Sequence, residues 1–180
     1  MYREQPKQAQ VKIRDRIREL LKENQSYETA VNLVHLSCIL SGVAMYEVLS
    51  SEGMDRETFI RTAEACLKPV ADKKRKQMAA IAGLPGSYFI LSRLAPSAMM
   101  LGNGCGWHTE KIKRTDKQFG FDTTRCIYHD LFGRYGIMEL GPAFCRTDEV
   151  VYGSMPNIRF QRTGTLCGGS DQCDFRFHRK

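Results

Sequence analysis

The sequence predicts an α+β fold: a helical N-terminal half packed on a mostly antiparallel sheet with short inserted helices. Three observations predict it. Apolar residues recur at helical spacing up to about residue 100. Past the glycines at 102, 104 and 106 the period changes to two, the alternation of a half-buried strand. Short runs separated by turn residues then continue to the C-terminus. The 180 residues suffice for one domain with a real core. We therefore read 1–180 as a single domain, with a helical part at about 8–100 and a cysteine-bearing α+β part at about 101–180.

From Gln8 to Asn24, apolar residues fall at Val11, Ile13, Ile17, Leu20 and Leu21 with charge between them, an amphipathic helix. A second helix, from about Tyr27 to Ser50, is apolar nearly all round and is expected at the centre. Asp55 is placed to cap a third, from Arg56 to Leu67. Pro69 punctuates the pattern, so a fourth helix is expected from Val70 to Ala82. Gly83, Pro85 and Gly86 break it, and Tyr88 to Leu94 fits either a short helix or a strand. Strands are expected over Trp107 to Lys113 and Gln118 to Arg125, joined by a turn at Thr115-Asp116-Lys117. Ile127 to Tyr135 reads as a short helix ended by Gly136. Pro142 opens another, to about Tyr152. Two strands, Ile158 to Thr165 and Cys173 to His178, close the chain around a glycine turn. On the last one Cys173, Phe175 and Phe177 share a face, and Asp174, Arg176 and His178 share the other.

The formal net charge is +7. Its densest run, Lys73-Lys74-Arg75-Lys76, lies in a helical pattern and reads as a solvated helix face. Aromatic residues are not interleaved with the basic ones, which argues against nucleic acid as a partner. The apolar stretch Val31 to Leu49 is long enough to cross a membrane. It contains Asn32, His35, Ser37, Ser41 and Glu47, so a buried helix is expected and no membrane contact. That helix can be buried within one subunit or shared between copies, which leaves a homo-oligomer open. The polar start, Met1-Tyr2-Arg3-Glu4-Gln5, has no apolar core behind it, and a cytoplasmic location is expected.

Seven cysteines, an odd number, without an export signal argue against a disulfide framework. Cys38 and Cys66 lie in apolar helical patterns and read as core filler. Cys126 follows a strand and opens a helix, where the dipole and free backbone N–H groups are expected to lower its pKa. Cys145 lies in the first turns of the next helix, with Asp148 three residues on and on the same face. Cys173 begins the last strand beside Asp174. Taken singly, each thiol is better read as a small buried residue; together with Asp148, Asp174 and the glycine turn they form a candidate site.

The segments Phe121-Asp-Thr-Thr-Arg-Cys126, Glu139-Leu-Gly-Pro-Ala-Phe-Cys145, Asp148, Ile158-Arg-Phe-Gln-Arg-Thr-Gly-Thr-Leu166, Gly169 and Cys173-Asp-Phe-Arg-Phe177 resemble the L-2-amino-thiazoline-4-carboxylic acid hydrolase family. The likeness covers roughly residues 105–178. It departs from the family pattern in the turn Cys167-Gly168-Gly169-Ser170-Asp171. The resemblance implies a hydrolase that opens a cyclic isothiourea. Water adds at the carbon between sulfur and nitrogen, the ring thiolate leaves, and N-carbamoyl-cysteine results. Such chemistry needs a nucleophile or base, an acid for the departing sulfur, donors for the tetrahedral stage and a cation for the substrate carboxylate. Catalytic candidates are Cys126, expected as the thiolate, then Cys145 and Cys173, with Asp148 as base or orienting group. Arg125, Arg162 and Arg176 are candidates for a carboxylate; Thr165, Gly169 and Asp174 complete the substrate-binding set, with Gly168 a further source of backbone donors. No cofactor is expected on this reading.

The alternative is a metal-binding protein in which Cys126, His129, Cys145 and Cys173 hold zinc or an iron–sulfur cluster. A short Cys-x-x-Cys pair, the strong signal for such a site, is absent. A non-catalytic small-molecule-binding module is the remaining alternative.

Overall fold

The structure, a computed structural model, describes residues 5–180, with side chains from Lys7 onward. The polar stretch at residues 1–4, on which the absence of an export signal was argued, lies outside the described residues.

Six α-helices and a four-stranded antiparallel sheet make up the described chain, as the change of period predicts. The helices are α1 (Gln5–Glu23), α2 (Leu33–Ser51), α3 (Arg56–Gly83), α4 (Ser87–Met99), α5 (Ile127–Arg134) and α6 (Gly141–Tyr152). The strands are β1 (His108–Lys111), β2 (Gln118–Arg125), β3 (Ile158–Gln161) and β4 (Cys173–Arg179), in the order β1-β2-β4-β3.

Four expectations are corrected. Pro69 does not divide two helices; α3 runs through it as one helix of 28 residues. Proline removes one N–H, so a single intrahelical bond, to the carbonyl of Ala65, is lost. The helix survives because both flanks are packed: Phe59, Ala63 and Leu67 against one core, Met78 and Ala82 against another. Second, α2 begins at Leu33. Before it, Gln25–Tyr27 form a single 3-10 turn. Asn32 holds this junction: its side-chain amide donates to the carbonyls of Tyr27 (3.0 Å) and Cys105 (2.6 Å), and its oxygen accepts from the Trp107 indole at 2.9 Å. Third, α2 is not central on all sides. Leu36, Ile39, Leu40, Val43 and Ala44 are buried, while Leu33, Val34 and Cys38 face solvent. Cys66 is likewise exposed and not core filler. The ambiguous segment after Gly86 is helical, as α4.

Two apolar cores result. The first lies among α1, α2, the first half of α3, α5 and α6, around Leu40, Phe59, Phe132 and Leu140. The second lies on one face of the sheet. There Phe119 stacks on Phe177 (ring centroids 4.9 Å apart) and Phe121 on Phe175 (4.6 Å), because these pairs stand opposite one another in the β2–β4 register. Each such pair adds roughly 0.5–1.5 kcal/mol to the area it buries. Tyr88 from α4, Ala82 from α3 and Met155 cover this face.

Candidate active site

The hairpin β3–β4 carries residues 162–172 towards α6, and this loop builds the site. Asp174 fastens it. Its carboxylate accepts from the Thr163 amide (2.9 Å), the Thr163 hydroxyl (2.7 Å) and the Gly164 amide (2.7 Å). Burial alone would raise its pKa, but these donors outweigh burial and hold it below the usual value. Thr165 caps a 3-10 turn, Leu166–Gly168, by accepting from the Gly168 amide at 3.0 Å. Gly169 ends that turn at φ +87°, a conformation that favours glycine. Asp174, Thr165 and Gly169 thus all shape the loop.

The turn sets Cys167 against α6. There is no room there for a Cβ on Gly141: one would come within 2.6 Å of the Cys167 sulfur. One helical turn along α6 from Gly141 stands Cys145. Its sulfur lies beside the Cys167 thiol and the Thr165 hydroxyl, and the Arg162 guanidinium is close by. Cys167 lowers the Cys145 pKa most. Arg162 and Thr165 add to this, and together they outweigh burial. The same pairing and burial push the Cys167 thiol up, so Cys167 stays protonated as a donor.

Arg162 is the centre of the polar network. Its side chain is only 3% exposed. It donates to the Asp148 carboxylate (3.0 Å), the Cys145 carbonyl (2.8 Å) and Glu149 (3.1 Å), and its guanidinium lies 5.2 Å from the centre of the Phe175 ring. Asp148 is hemmed in by protein yet keeps 35% of its side-chain surface in solvent. Burial raises its pKa to about 6, against the pull of Arg162 and Lys74. Tyr128, from the first turn of α5, feels the charges of Cys126, Cys145 and Asp148, and burial raises its pKa well above the usual phenol value. Its hydroxyl lies 3.0 Å from His35 Nδ1. His35 is itself kept neutral by burial and by Lys74.

The expectation for Cys126 is corrected. It does stand at the N-cap of α5, and the amides of His129 and Tyr128 point towards its sulfur without completing a cap hydrogen bond. Burial dominates, however, and pushes the thiol up to about 12. Cys173 is raised for the same reason; its sulfur accepts from the Leu166 amide at 3.2 Å. Both are protonated at neutral pH and close the site from behind.

The structure brings Cys145, Asp148, Arg162 and Thr165 together, with Cys126 and Cys173 within electrostatic reach. It does not bring the other two arginines there. Arg125 pairs with Asp130 (2.8 Å), and Arg176 pairs with Asp122 (2.6 Å) on the far face of the sheet. His129 is half exposed, with Nδ1 3.8 Å from Asp130. Among the described residues no three His, Cys, Asp or Glu side chains are gathered to hold a metal ion, and the set Cys126, His129, Cys145 and Cys173 is not such a group. Sequence reasoning missed Cys167, Tyr128, His35 and Lys74. Cys167 had one signal, its position two residues after Thr165 in the loop that precedes Cys173. His35 and Lys74 had none, since only tertiary packing brings α2 and α3 here.

An α+β chain with a thiol of lowered pKa, a carboxylate of raised pKa and a buried arginine at a loop–helix junction defines a candidate thiol-bearing active site. The chain belongs to the L-2-amino-thiazoline-4-carboxylic acid hydrolase family, whose model matches residues 32–177. The match reaches back through the helical half to Asn32, beyond the segment in which the sequence likeness was evident. No curated protein and no solved structure matches the chain.

Proposed function

We propose that the chain hydrolyses a small cyclic isothiourea of the L-2-amino-thiazoline-4-carboxylate kind, with the Cys145 thiolate as nucleophile. The observation that carries this reading is the pairing of Cys145 with a protonated Cys167 beside Arg162, which gives one sulfur alone among the four clustered thiols a lowered pKa.

The steps balance as follows. The Cys145 thiolate attacks the carbon between ring sulfur and nitrogen. The bond from that carbon to the ring sulfur breaks, and the sulfur leaves as a thiolate that takes up a proton. This leaves an isothiourea joined through sulfur to Cys145. Water then adds to the same carbon, Asp148 accepts its proton, and the Cys145 thiolate departs. The product carries a carbamoyl group on nitrogen. Tyr128, neutral and fixed by His35, supplies a donor for the charge at the tetrahedral stages. Water access for the second step is consistent with the third of Asp148 left exposed.

Arg162 is satisfied three times over, so another cation must meet the substrate carboxylate. Lys74 fits. It is exposed, it acts on both His35 and Asp148, and it forms no ion pair among the described residues. Lys74→Gln is expected to raise KM roughly tenfold with kcat little changed, since it removes binding common to ground and transition states. Steady-state kinetics on L-2-amino-thiazoline-4-carboxylate check this, and an unchanged KM would place the carboxylate elsewhere.

The base needs Asp148 ionised. Its folded-state pKa of about 6 is raised, so the active form is lost as pH falls through 6. The kcat/KM profile is therefore expected to rise with pH through about 7, where the Cys145 thiol ionises, and the kcat profile through about 6, where Asp148 does, each then levelling. Asp148→Asn should lower kcat by roughly 10²-fold or more and remove the kcat limb. The groups facing Asp148 are Arg162, Lys74, Glu149, Tyr128, Tyr152, Cys145 and Cys173. A limb near 6 that persists in the asparagine variant would reassign it to one of the others.

A further inference from the structure

A hollow of about 360 Å³ lies away from the thiols, between α4 and residues 111–114. Arg93 of α4, Lys111 of the edge strand β1, and Lys113 and Arg114 beyond it line this hollow. No carboxylate lines it. Among the described residues none of the four cations forms an ion pair. The hydrogen bond from Arg114 Nη1 to Ser92 Oγ is long, at 3.5 Å.

Elsewhere Arg16, Arg56, Arg125, Arg162 and Arg176 each hold a carboxylate, whereas here four cations line one hollow without one. The other walls of the hollow include the buried rings of Phe119 and Pro96. Like charges gathered around an apolar concavity repel one another and focus their field into it, and an anion placed among them relieves that repulsion. Two guanidiniums supply planar forks that suit phosphate oxygens, and two ammoniums supply point charge.

The volume is at the lower end of the range for small-ligand sites. Phe119, the aromatic residue in the lining, is buried, so no ring is presented for base stacking as single-stranded nucleic acid would require. We propose that this hollow is a second binding site, for a phosphate-bearing small molecule, separate from the thiol site. None of its lining residues belongs to the catalytic set. A soluble phosphorylated metabolite and a phospholipid headgroup share the required chemistry.

The test uses the full chain and two probes at fixed ionic strength. Inorganic pyrophosphate is titrated calorimetrically, and phosphatidic acid–phosphatidylcholine vesicles are co-sedimented. The comparison is with Arg93→Gln/Lys113→Gln, both at exposed positions, with circular dichroism as the check on folding. Lys113→Glu is a second variant should the double one misfold. Saturable pyrophosphate binding that weakens at least tenfold in the variants is the expected result for a soluble ligand. Vesicle binding lost in the variants, without pyrophosphate binding, supports the lipid source. The proposal is overturned by no saturable binding of either probe, or by binding of equal strength in wild type and variants. It is equally overturned if a single-stranded oligonucleotide binds through these residues while pyrophosphate and vesicles do not.

Discussion

Cys145→Ser is expected to lower kcat for ring opening by more than roughly 10³-fold while leaving the fold intact, whereas Cys126→Ser keeps most of the activity. Serine is close to cysteine in size, and its hydroxyl suits the polar surroundings that the Cys167 thiol and the Thr165 hydroxyl provide. Packing is thus preserved. What disappears is a group ionisable near neutrality. At position 126 the reverse holds: the thiol is pushed up to about 12 by burial and contributes no thiolate to lose. Steady-state rates of the two variants decide the matter. Single-turnover mass spectrometry of the wild type should also show the substrate-derived isothiourea on the peptide bearing Cys145. A fully active Cys145→Ser protein would sink the nucleophilic role, and an inactive Cys126→Ser protein would restore the expectation drawn from the helix N-terminus alone.

The second large effect belongs to Arg162→Ala. The change removes a side chain that is 3% exposed and strands its partners, the Asp148 carboxylate and the Cys145 carbonyl. Breaking a fully buried pair from one side costs about 3–5 kcal/mol. Asp148 keeps some solvent, so roughly 2–4 kcal/mol is expected here. In a chain of this size that lowers Tm by roughly 5–15 °C. The catalytic effect has a definite sign. Arg162 helps hold the Cys145 pKa down and opposes the burial that raises Asp148. Without it both pKa values rise, and the acid limb of the kcat/KM profile moves to higher pH. Thermal melts and a pH–rate series read the two consequences separately. A stable variant with an unmoved acid limb would show that Arg162 neither braces nor tunes the site.

Much of this was legible in the sequence, for identifiable reasons. The period of apolar residues located α1, β2, α5 and α6 closely, because each is a local amphipathic pattern with its own stop signal. Asp55 caps α3 as expected, its carboxylate accepting from the Thr58 amide at 2.9 Å. Pro69 misled because local breaking power is small beside the two cores that pin the helix on either side. Cys145 and Asp148 were legible as an i, i+3 pair, and Arg162 was in view, though for the wrong partner: it grips the protein's own carboxylates. Cys126 misled because a helix terminus is read from sequence while depth of burial is not, and here depth decides. Lys74 was read as part of a solvated run. Only packing reveals that this one member acts on His35 and Asp148.

The unbroken α3 has a further consequence. It runs like a girder past both greasy clusters, gripping one through Phe59 and Leu67 and the other through Met78 and Ala82, with its one missing N–H at Pro69 in between. Helix α6 lies alongside it and bears Cys145 and Asp148. The candidate pair is therefore seated beside the spine shared by both clusters. Their spacing, three residues along one helix, is fixed by α6 itself, and its seat against α3 ties that pair to both clusters.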